Sequence, residues 1–356
     1  MTIVHAVLPD GIDDPARPSG GNVYDRRVCN GLASEGWVVH EHAARGFWVR
    51  PDERSFAALA GIVRRIPDDA VVLLDGLLAS AAPDVLVPHA HRLRLVVLVH
   101  MPLGHSPPDD EAQDVRVREG AVLAAAASVV ATSEWCRRRL LELYQLPADR
   151  IHVAEPGVDA AELATGTTGG GALLCVAAVT FGKGHDLLLE ALATSSNLPW
   201  HCVCVGSLDR DPAFVERLRQ RAVDAGLDHR VEFPGPRTGV DLEGSYAAAD
   251  LLVLASRAET YGMVVTEALA HGVPVVAAEV GGLAEALGHG RGGTRPGLLV
   301  SPGDAHALGA ALRAWLADAE LRKRLRRAAR ERRESLSRWS ATTSVIAGVL
   351  AGAAHD

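Results

Sequence analysis

The chain has 356 residues, 48% of them hydrophobic, which is enough for two domains with cores of their own. A formal net charge of −8 argues against nucleic acid or an anionic membrane surface as a general partner, and no apolar run reaches the ~20 residues of a transmembrane segment. The start of the chain lacks the basic residues of a signal peptide, and the five cysteines show no metal-ligand spacing. We therefore expect a reduced, cytoplasmic protein, whose arginine-rich and lysine-poor composition is bacterial-like.

Strands and helices alternate through the first half of the chain. The strands are continuous apolar runs, which is typical of a parallel sheet covered by helices on both faces. Helical stretches run from Asn22 to about Glu35, over Ala57–Arg65 and over Glu111–Ala127. This pattern predicts a doubly wound α/β domain over residues 1–165. Its predicted strands are Thr2–Leu8, a strand that starts within Trp37–His40, Val71–Asp75, Leu93–His100, Ser128–Thr132 and His152–Ala154.

Two features of this half point to ligand binding. Gly20 and Gly21 stand at the start of the first predicted helix, where glycines let the backbone approach a ligand and the helix end favours negative charge. His100 ends its strand, and open α/β sheets bind ligands at the carboxyl ends of their strands. We expect His100 to contact a polar substrate there. The GxGxxG fingerprint of dinucleotide-binding proteins is absent, which argues against NAD or FAD.

The composition changes at residues 165–171, where the sequence TGTTGGG predicts a flexible linker. Strands and helices then alternate afresh, which predicts a second doubly wound domain over residues 171–336. Two such domains are expected to place a ligand cleft between the carboxyl ends of their sheets. The predicted strands of this half are Ala172–Val179, Trp200–Gly206, Val231–Phe233, Leu251–Ala255, Val273–Ala278 and Leu298–Val300.

The turn Phe181–Gly184 (FGKG) follows the first strand of the second half and precedes a helix that begins near His185. Lys183 therefore lies at a strand end beside a helix start, where its ammonium group could pair with a diphosphate. The GxxxxGK[ST] pattern is absent, so this turn is not a P-loop.

The most informative stretch, SRAETYGMVVTEALAHGVPVV, runs from Ser256 to Val276 and leads from a buried strand into a helix that starts at Gly262. Unpaired amides and the positive end of the helix dipole converge at such a point, which suits a phosphate. Glu259 precedes the helix and Glu267 lies within it. Because a carboxylate repels a phosphate, the better use of this pair is to accept hydrogen bonds from sugar hydroxyls.

In this order, the motifs resemble those of the retaining glycosyltransferases of the GT-B fold known as glycosyltransferase family 4, or glycosyl transferases group 1. Glu259 and Glu267 match the Glu-x7-Glu signature of that family, and the segment from Glu267 to Glu285 is similar to its following block. The sequence GLLVSPGD at residues 297–304 also matches, and the Gly-Gly loop, the strand-end histidine and the Lys-Gly turn lie at the expected places. The resemblance covers nearly the whole chain. It implies an α/β protein with the GT-B architecture, in which two Rossmann-like domains face a central cleft.

The resemblance also implies roles. A nucleotide-sugar donor would bind mainly to the C-terminal domain, and a small-molecule or glycan acceptor would offer a hydroxyl from the N-terminal side, with no metal or other cofactor. The C-terminal tail, about residues 337–356, would pack back on the N-terminal domain. In these roles, Glu267 would bind the ribose hydroxyls and Glu259 would hold sugar hydroxyls near the reacting centre. Lys183 and the amides of Gly262, Met263 and Val264 would stabilise the departing diphosphate. His100 would contact the sugar, and Gly20 and Gly21 would close over the phosphates.

One position departs from the family pattern. The family usually has a diphosphate-binding arginine about five residues before the lysine, where this chain has Ala178. Arg257, beside Glu259, and Arg237 are candidates to replace it. The string Asp209-Arg210-Asp211 fits the DxD motif of metal-dependent transferases, but it is remote in the pattern from the glutamate pair, and we interpret it as a turn.

Three alternatives stay open from the sequence. A sugar-nucleotide epimerase of the same fold would use the same nucleotide cleft. A pseudo-glycosyltransferase would couple a cyclitol nucleotide without glycosidic chemistry. A non-catalytic nucleotide-sugar-binding protein is the third, and the missing arginine is its best support.

Overall fold

The computed structural model describes residues 2–16, 18–48, 50–105 and 110–355. The chain divides into two units. The first consists of Met1–Asp13, Gly20–Gly157 and Ser337–Asp356, and the second of Asp14–Ser19 and Val158–Leu336. The predicted N-terminal domain begins at Met1 and the predicted tail ends at Asp356. Both of these residues lie outside the described ones.

Helices follow strands along most of the chain. The strands are β1 (Ile3–Pro9), β2 (Val38–Ala44), β3 (Val71–Asp75), β4 (Arg94–Val99), β5 (Ser128–Ala131), β6 (Ile151–Val153), β7 (Ala172–Val176), β8 (His201–Val205), β9 (Val231–Gly235), β10 (Leu251–Leu254), β11 (Val275–Ala278) and β12 (Gly297–Val300). The helices are α1 (Gly20–Ser34), α2 (Glu53–Arg65), α3 (Gly76–Ala81), α4 (Pro83–Leu86), α5 (Asp110–Ala125), α6 (Glu134–Tyr144), α7 (His185–Ala193), α8 (Pro212–Asp224), α9 (Gly239–Ala247), α10 (Met263–Ala270), α11 (Leu283–Leu287), α12 (Ala305–Ala317), α13 (Ala319–Arg333) and α14 (Trp339–Ala353). Short 3₁₀ helices cover Val87–His89, Leu103–His105, Ala148–Arg150 and Phe181–Lys183.

The sheet of the first unit has six parallel strands in the order β2-β1-β3-β4-β5-β6. The chain first builds outward from β1 to β2 and then continues on the other side with β3. The order therefore reverses between β1 and β3, and open sheets of this kind bind ligands outside the carboxyl ends of the strands at that point.

Apolar strands bury both faces of this sheet. In β3, Val72 and Leu74 pack into one cluster with residues of α2 to α6, whereas Val71 and Leu73 pack into another with residues of α1 and α14. Side chains of a strand point alternately to its two faces, so a continuous apolar run is what a sheet covered on both sides needs.

The C-terminal helix α14 belongs to the first unit. Its buried side chains include Ile346, which is 0% exposed, and Leu350, and they share a core with Val28 and Leu32 of α1. The approach is close at Gly157, because a Cβ atom there would overlap the backbone of Trp339. Although α14 is apolar, no helix among the described residues combines the length and hydrophobicity that crossing a membrane requires.

The second unit repeats the architecture. Its six parallel strands follow the order β12-β11-β10-β7-β8-β9 around one apolar core, and the order reverses between β10 and β7. The crevice of this unit is therefore expected outside the carboxyl ends of β7 and β10.

The segment at residues 165–171 differs from the flexible linker that its composition predicts. Thr167 donates hydrogen bonds to Asp250 through its backbone amide, at 2.8 Å, and through its hydroxyl, at 2.5 Å. The carbonyl of Gly170 accepts a hydrogen bond from Trp315 at 2.7 Å. These bonds hold the segment in the second unit, so the division between units lies at Gly157 rather than at residue 165. The composition of the segment could not reveal that the buried Asp250 accepts hydrogen bonds from it.

Candidate functional site

Lys183 and Glu259 follow the two strands at the reversal point of the second sheet. Lys183 ends the 3₁₀ turn after β7, and Glu259 lies in the loop after β10. Because β7 and β10 are hydrogen-bonded neighbours, their loops leave the same edge of the sheet side by side. The structure thus brings together two residues that are 76 positions apart in the sequence.

The two side chains form an ion pair. Lys183 Nζ lies 2.6 Å from Glu259 Oε1, and the same oxygen accepts a hydrogen bond from the Ser256 hydroxyl at 2.9 Å. The side chain of Lys183 is 32% exposed and that of Glu259 is 14% exposed. The pair is therefore partly open to solvent, so that a ligand can reach the ammonium group.

Two glycines fix the backbone around Glu259. A Cβ atom at Gly281 would overlap the carbonyl of Glu259, and one at Gly282 would overlap the carbonyl of Thr260. The amide of Gly282 donates to the carbonyl of Glu259 at 3.3 Å. The Gly281-Gly282 pair therefore supports the glutamate loop from behind, a role that the sequence motif did not reveal.

The helix α10 begins beside Glu259. Its N-cap residue is Gly262, at φ +91°, and no side chain caps this end of the helix. A helix leaves its first amides without carbonyl partners inside it, so the amides of Met263 and Val264 offer donors at this end. Gly262 also has no room for a side chain, since a Cβ atom would overlap Leu283. An uncapped helix end beside an ammonium group suits an anion.

Glu267 lies further along α10 and contacts a buried tyrosine. The Tyr246 hydroxyl donates to Glu267 Oε2 at 2.6 Å, and the Tyr246 ring stacks on His271 with 5.2 Å between ring centroids. Burial, followed by the negative charge of Glu267, holds the pKa of Tyr246 well above its usual range. Tyr246 therefore stays a hydrogen-bond donor and orients the carboxylate. Sequence reasoning missed Tyr246, which only the packing of α9 on α10 reveals.

Arg257, a candidate to replace the missing arginine, pairs with Asp186. Its two Nη atoms contact the two oxygens of Asp186 at 2.9 and 2.8 Å, and Nη1 also donates to the carbonyl of Phe181 at 2.7 Å. Its guanidinium lies 3.9 Å from the centre of the Phe181 ring. Burial opposes ionisation of Asp186, but the hydrogen bond and charge of Arg257 lower its pKa. The second candidate, Arg237, donates to the Ser245 hydroxyl at 2.9 Å.

The DxD-like string lies where a helix begins. Asp211 is the N-cap of α8, and its side chain accepts a hydrogen bond from the amide of Phe214 at 3.0 Å. This capping role accounts for the position of Asp211 in the sequence.

His100 of the first unit lies directly after β4 and faces two buried carboxylates. His100 Nε2 is 2.8 Å from Asp25 Oδ1 and 3.6 Å from Asp75 Oδ2. Asp25 lies on α1, and Asp75 ends β3 and caps α3 through the amide of Leu78. The sequence contained a partial signal, because Asp75 is a carboxylate at a strand end, but the three residues come from three separate elements.

Gly21 and Tyr24 complete the surroundings of His100. A Cβ atom at Gly21 would lie 3.3 Å from the imidazole, so the glycine allows α1 to approach the ring closely. The ring of Tyr24 meets the imidazole edge-on at 5.2 Å between centroids. Gly20 is the first residue of α1, so both glycines of the predicted loop stand inside the first helical turn.

The buried carboxylates Asp25 and Asp75 change the pKa of His100, and Asp25 changes that of Asp75. Burial lowers the pKa of His100, but the charge of Asp25, its hydrogen bond and the charge of Asp75 outweigh burial and raise it. Burial and the charge of Asp25 raise the pKa of Asp75 to about 7. The cluster therefore tends to hold protons near neutral pH, and a protonated His100 can donate a hydrogen bond to a substrate oxygen.

Two family models cover most of the chain. Residues 168–332 match the model described as Glycosyl transferases group 1, and residues 18–162 match the model described as Glycosyltransferase Family 4. One model thus falls within each half of the chain, in the order that the motifs predict.

Individual relatives agree with these models. The D-inositol 3-phosphate glycosyltransferase of Jonesia denitrificans is 30% identical over 253 residues, which is 65% of this chain and 58% of that relative, so the match spans little more than half of its length. Sucrose-phosphate synthase from Thermosynechococcus elongatus is 22% identical with a TM-score of 0.80, covering 99% of both chains. Anabaena Alr3699/HepE, solved with UDP-glucose, is 20% identical with a TM-score of 0.78, covering 99% of this chain and 100% of that one.

The structural likenesses confirm the predicted fold class, an α/β protein of the GT-B type. In this chain the fold consists of two sheets of six parallel strands, and Lys183, Glu259 and His100 follow the carboxyl ends of those strands. With a family model matched in each half, the chain belongs to the group 1 glycosyltransferases, in glycosyltransferase family 4.

Proposed function

We propose that the chain is a hexosyltransferase that moves a sugar from a nucleoside diphosphate sugar to an acceptor hydroxyl with retention of the anomeric configuration. The observation that carries this proposal is the position of Lys183 and Glu259 at the reversal point of the second sheet, beside the uncapped start of α10. One cation, one carboxylate and free helix amides within one loop cluster suit a sugar diphosphate, which presents both anionic oxygens and hydroxyls.

Lys183 and the amides of Gly262, Met263 and Val264 would stabilise the departing diphosphate. In the reaction, the bond from the anomeric carbon to the diphosphate oxygen breaks, and a bond from the acceptor oxygen to the same carbon forms on the same face. The acceptor hydroxyl gives its proton to the departing diphosphate oxygen, and the nucleoside diphosphate leaves. Charge that develops on the leaving oxygen is stabilised by donors fixed in advance. An ammonium group has three N–H donors, so Lys183 can keep Glu259 and still bind a phosphate oxygen.

The carboxylates would position the two sugars of the donor. Glu267, oriented by Tyr246, would accept hydrogen bonds from the ribose hydroxyls. Glu259 would accept them from the transferred sugar near the reacting carbon. His100, held by Asp25 and Asp75, would donate to a hydroxyl of the transferred sugar from the first unit, and Gly20 and Gly21 would lie over the phosphates.

The reaction as proposed needs no added divalent metal, because the charge of the leaving group is assigned to Lys183 and the start of α10. We expect turnover in buffer that contains EDTA. Loss of turnover there, restored by magnesium or manganese, would contradict this part of the proposal and direct attention to Asp209 and Asp211.

The acceptor is proposed to carry a phosphate or carboxylate. The inositol phosphate and sucrose phosphate in the relatives' names motivate this choice. In the first unit, a cavity of about 400 Å³ after β2 is lined by Arg45, Arg50 and Arg54, with Asp52 as its acidic residue. Arginine binds such groups with paired N–H donors. We expect Arg54→Ala to raise KM for a phosphorylated acceptor about tenfold or more while donor hydrolysis stays unchanged. Equal use of phosphorylated and dephosphorylated acceptors would contradict this choice.

A panel of UDP-, GDP- and ADP-sugars tests the function. UDP-glucose comes first, because the Anabaena structure was solved with it. Calorimetry would measure binding, and NMR of the anomeric proton would identify any transferred or hydrolysed sugar and its configuration. An epimerase would convert the donor without acceptor, a pseudo-glycosyltransferase would form a product without a glycosidic bond, and a non-catalytic binder would bind donor with neither transfer nor slow hydrolysis.

A further inference from the structure

Three side chains with metal-binding chemistry meet in the core of the second unit, outside the site described above. Cys175 lies on β7, Cys204 lies on β8, and His185 is the first residue of α7. Cys175 and Cys204 are register partners on neighbouring parallel strands, which places them next to each other in the sheet. All three side chains are 1% exposed.

The distances between their ligand atoms are close to those of a metal site. Cys175 Sγ is 3.7 Å from His185 Nε2, and one ligand atom of each residue lies within 4.8 Å of the other two. With Zn–S bonds of about 2.3 Å and Zn–N bonds of about 2.0 Å, a tetrahedral site separates its ligand atoms by roughly 3.5–3.8 Å. Rotamer adjustments of about 1 Å would therefore close the three ligands around an ion.

Hydrogen bonding does not account for burying this imidazole. His185 Nε2 has a thiol as its neighbour, which is a weak partner, and His185 Nδ1 is buried without a hydrogen-bond partner among the described residues. An unsatisfied buried polar atom costs about 1–3 kcal/mol, so a buried imidazole held by a sulfur alone is a costly arrangement. Coordination through Nε2 would replace the weak thiol contact of that nitrogen with a metal bond, and Nδ1 would keep its proton without a partner among the described residues.

Charge selects the kind of ion. Two thiolates cancel the two charges of a divalent cation, and a neutral imidazole adds none, so the complex is neutral as a buried site requires. A monovalent copper ion would leave one uncompensated negative charge in the core. We propose that Cys175, Cys204 and His185 supply three ligands of a divalent thiophilic ion of the zinc type. The spacing rules did not detect it, because strand pairing and not a CxxC motif brings the cysteines together.

Cys202 lies beside this site but is not assigned as a ligand. Its Sγ is 4.0 Å from Cys204 Sγ, and its side chain is fully buried. It would shield the ion on that side.

The ion would hold the base of the Lys183 turn. His185 follows Lys183 by two residues, and Gly184 between them packs so tightly that a Cβ atom would overlap the carbonyl of Ala255, directly after β10. Coordination would join the start of α7 to β7 and β8 beneath that turn. The proposal does not depend on the transferase activity, because its readouts are metal content and spectra.

The test uses the full chain produced with zinc or with cobalt in the medium. Elemental mass spectrometry of the purified protein should find about one zinc per chain, and the cobalt form should show the near-ultraviolet charge-transfer band of thiolate ligands. Both signals should be lost in Cys175→Ser, Cys204→Ser and His185→Gln. They should persist in Cys202→Ser and in Cys136→Ser, which changes a buried cysteine of the first unit.

Three results would overturn the proposal. The first is a folded wild-type chain that binds neither ion. The second is binding that does not use the proposed ligands, shown by binding that persists in the three ligand variants or by a cobalt spectrum without the thiolate band. A site at Asp25, Asp75 and His100 would give such a spectrum, because its ligand atoms are oxygen and nitrogen. The third is loss of binding in Cys136→Ser. Circular dichroism of each variant establishes that it is folded, and zinc addition should raise the thermal midpoint of the wild type and not of folded ligand variants.

Discussion

The ammonium group of Lys183 lies 2.6 Å from the carboxylate of Glu259, so the loops after two neighbouring strands are joined by one ion pair. The pair places a positive charge at the reversal point of the sheet and holds it there with a carboxylate that Ser256 also binds. A diphosphate that enters would find the ammonium group already held in place by Glu259. Lys183 could bind a phosphate oxygen while it keeps that carboxylate, whose other lone pairs could accept a hydrogen bond from a sugar hydroxyl.

Replacing Lys183 with alanine should lower kcat about 10²–10³-fold at saturating donor, because one fixed donor to the leaving group is lost. The matched control is Lys323→Ala, which removes the other lysine of the chain, an exposed residue paired with Glu320. The control should leave kcat unchanged. Equal turnover of both variants would show that Lys183 does not serve the leaving group.

Gly282→Ala should displace the loop that carries Glu259. The new Cβ atom would overlap the carbonyl of Thr260, so the loop that carries Glu259 must shift, and we expect lower kcat together with reduced stability. Gly244→Ala is the control, since that position in α9 has nothing within 4 Å and alanine favours a helix by about 0.5–1 kcal/mol. A Gly282→Ala enzyme with the parent's kcat would contradict the supporting role of this glycine.

The sequence placed the candidate side chains on their elements better than it placed their partners. Strand-end positions and helix starts were readable, because apolar runs and glycines mark them, and they led to Lys183, Glu259 and Gly262. The partners Tyr246, Asp186 and Asp25 were not readable, because each comes from another element and only the packing brings it near. The same limit explains the segment at residues 165–171, where the composition suggested mobility and the contact with Asp250 supplies order.

The stability of the first unit should depend on pH through the ionisation of Asp75. The folded chain raises the pKa of this carboxyl from 3.8 to about 7, so between these values it holds a proton that the unfolded chain has released. The free energy of unfolding must then fall as the pH rises through that window, and His100, whose pKa is also raised, contributes in the same direction.

Asp75→Asn removes this titration and should gain stability relative to the wild type between pH 5 and pH 8, on the order of 1–4 kcal/mol. Asp84→Asn, which changes an exposed aspartate of α4, is the comparison variant. Denaturant titrations at several pH values would measure this. A wild-type minus Asp75→Asn difference that does not change with pH would contradict the raised pKa.

The C-terminal helix offers a test with two neighbouring residues. Ile346 is 0% exposed in the core shared with α1, whereas Val345 is 42% exposed. Ile346→Ala should lower the free energy of unfolding by about 2–5 kcal/mol through lost burial and a cavity, and Val345→Ala should change it by about 0.5 kcal/mol or less. Similar effects of the two substitutions would mean that α14 does not pack through this face.

Arg257 poses the sharpest question, because a phosphate role and a structural role predict different mutant cycles. In the structure both of its Nη atoms bind Asp186, and its backbone amide donates to the carbonyl of Gly182 at 2.9 Å. These contacts tie the loop after β10 to the turn that carries Lys183. We expect Arg257→Ala to weaken donor binding by about 1.5–3 kcal/mol, the range for a hydrogen bond to a charged group, by releasing that turn.

The cycle with Asp186 separates the two roles. If Arg257 acts through the turn, Asp186→Asn should weaken donor binding in the same way, and the double variant should lose little more than either single one, because both remove one interaction. If Arg257 binds the diphosphate itself, Asp186→Asn should leave affinity intact or raise it, and adding Ala178→Arg to Arg257→Ala should restore part of the loss. Calorimetry with nucleoside diphosphate alone suffices for the measurement. Should Arg257→Ala bind the diphosphate like the parent, neither role holds, and Arg237 becomes the residue to test in place of the missing arginine.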